Sequence, residues 1–135
     1  MTRLSGDEST PSNVAFTAKT ICGAKLAGEK LEVPLSRKDS SADVSRQWAV
    51  LKEIFMRPDT VLVFHTTNHY ALIFAAREWV EHDSATGEAT SVRQLLTAKR
   101  GQRPQFWMDW SEARNIMLGW TGYRMMAVEK KTSGD

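Results

Sequence analysis

TVLVFHTTNHYALIFAAR, residues 60–77, is the stretch on which the fold turns. Thr60 to His65 is a short run of β-branched and apolar residues, the composition of a buried strand. Thr66, Thr67 and Asn68 supply a turn. His69 to Arg77 then reads as a second strand, apolar on both faces. Residues 78–90 contain Asp83, Ser84 and Gly87 and read as a hairpin loop. Val92 to Ala98 is a third strand. Strands joined by such short connections predict an antiparallel sheet.

Upstream, Val44, Trp48, Leu51 and Phe55 recur at intervals of four, three and four residues. They form one apolar stripe and predict a helix over residues 42–56. Ser40 or Ser41 can cap it, and Asp43 suits the positive end of its dipole. Arg57-Pro58-Asp59 stops it. Before it, Val14, Ala18, Ile21, Cys22, Leu26 and Leu31 are spaced loosely as a helix over 14–31, weakened by Gly23 and Gly28 and ended by Pro34. Residues 1–13 are polar and read as a mobile tail.

Downstream, KRGQRP (99–104) is a basic loop and Asp109 starts another helix. Asp109 and Glu112 have the spacing of a capping box. Trp110, Ala113, Met117 and Trp120 share one face. Gly119 and Gly122 end the helix, and Tyr123 to Glu129 is a last strand. Residues 130–135 are a tail, which leaves one domain over 14–129. The expected fold class is α+β: a small, mainly antiparallel sheet of about four strands with two or three helices.

The chain has 135 residues, a net charge of +2, 41% hydrophobic and 25% charged residues. Those values suit a globular protein. A single cysteine excludes an intramolecular disulfide and a multi-cysteine zinc site. The longest aliphatic or aromatic run, Tyr70 to Ala76, is far short of the ~20 residues of a membrane helix. With no apolar signal core near Met1, the expected location is intracellular, in cytoplasm or nucleus, with no membrane contact. Five tryptophans, four of them from Trp79 onward, suggest a core filled with large side chains or an aromatic groove.

Candidate chemistry falls at three places. Cys22 is the one possible thiol nucleophile, and His69 the candidate general base. His65 lies four residues before His69, but the pair finds no further ligands, so no metal and no cofactor are expected. Arg93, Lys99, Arg100 and Arg103 fall in a window, Ala89 to Met108, without acidic residues. Trp107 and Trp110 follow. Basic groups interleaved with aromatics suit phosphate backbones or acidic peptides.

The strings NHYALIFAAREW and RQLLTAKRGQRPQFWMDWSEARNIMLGWTGY resemble the family of basic immunoglobulin-like variable motif-containing proteins, over roughly residues 48–129. NHYAL and TAKRGQRP carry the resemblance. The order of elements does not look like an immunoglobulin sandwich, which needs about seven strands. A wider resemblance is to papain-like thiol peptidases of the bacteriocin-processing type. It rests on ICGAKLAGEKL with Cys22-Gly23, NHYALIF with His69-Tyr70, and GWTGYRMMAVE with its tryptophan turn and final strand. It implies the C-terminal half of a papain-like domain, with Cys22 opening a helix beside His69. There a helix N-terminus and an imidazolium would yield thiolate. Two parts of that pattern are missing. VAFTAKTI (14–21) offers no glutamine for the oxyanion, and Thr97, Ala98 and Lys99 offer no carboxylate for the imidazole. Gln102 or Asn68 would have to serve as a polar helper.

These readings lead to a non-catalytic interaction or binding module with a protein or peptide partner. Its surface would comprise the strand start at His69 with Asn68, the loop Lys99, Arg100, Gln102 and Arg103, and Trp107. The alternatives are a Cys-His hydrolase or acyltransferase acting on amide bonds, and an anionic-ligand or nucleic-acid binder through loop 99–103.

Overall fold

A computed structural model describes residues 14–24, 30–66, 69–98, 104–120 and 122–132. They form β1 (Val14–Ala24), β2 (Val33–Leu35), α1 (Ser41–Phe55), β3 (Thr60–Thr66), β4 (His69–Leu72), β5 (Ala75–His82), β6 (Ala89–Ala98), β7 (Pro104–Asp109), α2 (Trp110–Gly119) and β8 (Arg124–Thr132). One sheet has five strands in the order β2-β1-β8-β3-β4, and a second has three in the order β5-β6-β7. All pairs are antiparallel except β1 with β2. The expected α+β fold with about four strands and two or three helices is thereby corrected to a β-rich fold of two sheets and two helices.

The segment 60–77 explains the difference. His69 to Arg77 is two strands, not one. At its centre the chain leaves one sheet and enters the other. The Ile73 N–H donates to the Leu62 carbonyl (3.0 Å), and the Phe74 N–H donates to the Leu96 carbonyl (2.8 Å). A segment that belongs first to one sheet and then to another shows no single alternation, so it reads as apolar throughout. Beyond it, β5 runs on to His82, where a loop was expected. The hairpin is closed by Asp83, whose Oδ1 accepts from the N–H groups of Ala85 (2.7 Å) and Thr86 (3.1 Å). Gly87, at φ 73°, takes the left-handed position.

The expected helix over 14–31 is also corrected. Residues 14–24 are strand β1, and residues 25–29 lie outside the described residues. A bulge between Thr20 and Cys22 shifts the register against β8. It leaves Ile21, Cys22 and Gly23 all buried. A bulge breaks the period of two, and the resulting spacing of apolar residues mimics a helix.

Cross-strand rows define the two faces of the large sheet. Val33, Cys22, Met125, Phe64 and Ala71 stand in one row across all five strands. This face is covered by the helices: α1 packs on β2 and β3, and α2 packs on β1, β6 and β7. Trp48 and Trp110, both buried, join the helices with ring centroids 6.0 Å apart. Leu95 and Met108 of the second sheet belong to the same buried cluster. The neighbouring row, Pro34, Gly23, Arg124, His65 and Tyr70, faces the other way. On that outer face Phe16, Val61, Tyr70 and Leu72 are exposed.

Helix α1 starts as its sequence requires. The Asp43 N–H donates to Ser40 Oγ, and the Ser40 N–H donates to Asp43 Oδ2, a complete capping box. Helix α2 lacks the expected one. The Asp109 side chain makes no cap bond; its Oδ1 accepts from Gln94 Nε2 at 2.9 Å. Trp120 leaves the predicted helix face, being the C-cap in extended conformation and 64% exposed. Arg114 ties the layers together. It pairs with Asp39 at 2.6 Å and donates to Gln47 Oε1 and the Ser36 carbonyl.

Candidate functional site

The two residues expected to form a catalytic pair are not brought together. Cys22 lies within a strand and opens no helix. It is fully buried, between Val33 and Met125. Burial pushes its thiol well above the ordinary range, and the nearby Arg114 offsets this only in part. His69 opens β4, three strands away, where its carbonyl accepts from Thr66 Oγ1 at 3.5 Å. Strands lie about 4.8 Å apart, which puts roughly 15 Å between the two residues. A thiolate–imidazolium pair cannot form at that separation.

The expected binding residues divide. Asn68, Lys99, Arg100, Gln102 and Arg103 lie outside the described residues. Trp107 stands on β7, half-buried beneath Arg77, whose guanidinium lies 3.8 Å from its ring centroid and 5.1 Å from that of Trp79. Arg77 also donates from Nε to Gln94 Oε1. His69 and Trp107 therefore sit on different sheets. His65 stacks on Tyr70 across the β3–β4 pair, with centroids 4.3 Å apart. Among the described residues no three His, Cys, Asp or Glu side chains could hold a metal ion.

A different place is built like a site. A cavity of about 150 Å³ opens where the end of α2 and the turn after it cross the ends of β1 and β8. Leu31, Met117 and Leu118 supply apolar lining, and Trp120 and Tyr123 supply aromatic walls. The Trp120 and Tyr123 rings are stacked, with centroids 6.1 Å apart. The turn that holds them depends on Gly122, at φ 89°, and on the Tyr123 N–H donating to the Trp120 carbonyl. Arg37 braces the helix end from outside, donating from Nη2 to the Leu118 carbonyl at 2.7 Å.

Besides the two aromatic rings with their polar tips, Thr20 and Arg124 line this cavity. Arg124 stands on the outer face of the sheet, between Gly23 and His65. A Cβ on Gly23 would lie 3.4 Å from the Arg124 Cβ, an ordinary van der Waals contact. The sequence marks the tryptophan turn and its glycines. It does not mark Arg124, whose setting depends on the register of three strands.

The geometry defines the class: a β-rich, two-sheet protein with a small, partly apolar cavity, in which Cys22 and His69 are not brought together. No family model matches the chain, and no curated protein or solved structure is significantly similar to it. Among the described residues no helix is long and apolar enough to cross a membrane.

Proposed function

We propose that the chain is a non-catalytic binding module that takes a small, ring-bearing molecule in the cavity beneath Trp120 and Tyr123. The observation that carries this is the exposed Trp120 ring, stacked on Tyr123 above an apolar floor. Ligand sites are concave and mainly apolar, with few polar groups to fix orientation. A cavity of roughly 150 Å³ accepts a single benzene-sized ring. The burial of Cys22 argues against the hydrolase alternative.

The test is a titration of isotope-labelled protein with phenylacetate and with phenylacetamide, followed by amide chemical shifts. For ligands this small the expected dissociation constants are about millimolar. Shifts are expected at Gly119, Gly122 and Tyr123, with Gly87 in the distant hairpin unmoved. Trp120→Ala should remove them. If neither probe moves the cavity amides at about 20 mM, the reading fails.

A second reading, a protein-interaction module, is favoured by the exposed Phe16, Val61, Tyr70 and Leu72 on the outer sheet face. Such a cluster suits a partner surface.

A further inference from the structure

We infer that the cavity ligand is an anion, a small monocarboxylate whose carboxylate pairs with Arg124; this rests on the cavity being a binding site. The inference comes from how the arginines are used. Among those described, Arg46 pairs with Asp43, Arg57 with Glu32 and Arg114 with Asp39. Arg37 donates to the Leu118 carbonyl, Arg77 to Gln94 and Arg93 to Ser45. Among the described residues the Arg124 side chain alone has no hydrogen bond and no ion pair to another described residue. Its Nε is buried and unpartnered.

A buried donor without an acceptor is costly, and native proteins rarely leave one. Here Nε belongs to a permanent cation lining a cavity that is otherwise mostly apolar, and because Nε is out of reach of water it is the terminal Nη groups that a cavity ligand would meet. A guanidinium offers two parallel donors, the geometry that a carboxylate accepts. The next residue in the same row, His65, also carries a buried, unpartnered Nδ1, and it brings no negative charge. The walls of Trp120 and Tyr123 would receive the ring while Arg124 receives the charged end. Thr20 also lines the cavity and can donate its hydroxyl to the same group. The volume limits the ligand to one ring with a short acid arm.

The experiment compares phenylacetate with phenylacetamide, which share size and shape and differ in charge. On the unaltered chain phenylacetate should bind about tenfold more tightly, the worth of one charge-assisted bond. Arg124→Gln should bring the two probes to equal affinity, and Arg124→Lys should keep part of the preference. Because Arg124 supports no other described side chain, Arg124→Gln should fold with a melting temperature no lower than that of the unaltered chain. Equal binding of both probes to the unaltered chain, with shifts at Gly119 and Gly122, would overturn the anion and leave the cavity standing. A preference that survives in Arg124→Gln would also overturn it. Silence of those amides with both probes would remove the cavity reading itself.

Discussion

Cys22 is where the sequence and the fold diverge most in meaning. As a residue type it is the one possible thiol nucleophile. In the molecule it is a small apolar filler in a row between Val33 and Met125. Its consequence is thermodynamic. Burial raises the thiol's proton affinity in the folded state. The protonated form is retained there while the unfolded chain loses its proton above about pH 8.5. The stability this provides is full below that pH. It is lost as pH rises toward the folded value, by up to about 1.4 kcal/mol per pH unit. Urea unfolding between pH 7 and 10 should show the decline, and Cys22→Ala should show less of it. Identical slopes for the two proteins would mean that the thiol ionises freely in the fold.

At the scale of elements, α1 was legible because three signals agreed: the four-three-four stripe, the Ser40–Asp43 box and the Pro58 stop. β3 was legible from TVLVFH. β1 was not, because the bulge at Ile21 destroys the alternation that identifies a strand. β5 was not, because its last six residues are all exposed and show no alternation of burial. The cavity was half legible: the glycines and Trp120 mark a turn, but Arg124 gains its setting from partners remote in sequence. The same is true of Arg114, which joins α2 to Asp39 and Gln47. Burial pushes the Asp39 carboxyl upward, but the donors of Gln47, the Ser36 N–H and Arg114 together hold it below the usual range. Asp39 therefore stabilises the fold above about pH 4, and that contribution is lost as pH falls through the lowered value. Asp39→Asn should cost about 2 kcal/mol at pH 7 by leaving Arg114 unneutralised. The gap from the unaltered chain should narrow as pH falls below about 4 and the carboxyl takes up its proton. Chemical unfolding at about pH 7 and below about pH 4 checks this, and a gap of equal size at both would contradict it.

For the molecule as a whole, the unifying fact is a single core shared by two sheets. Leu62 and Phe64 of one sheet and Leu95 and Met108 of the other lie in one buried cluster with Trp48, Leu51 and Trp110. Glu78 adds a polar tie. It accepts from Trp48 Nε1 at 3.0 Å and pairs with Lys52, linking β5 to α1. The crossing between Ile73 and Phe74 makes two neighbouring amides witnesses to different sheets, since each is locked to a different strand. Their solvent exchange becomes a direct comparison of how the halves of the molecule open. With one core, the two protons should exchange through the same rare opening, with protection free energies within about 1 kcal/mol of each other. Native-state hydrogen exchange reads both. A Phe74 proton exchanging far ahead of Ile73 would mean that the three-stranded sheet detaches first, as a separate cooperative unit.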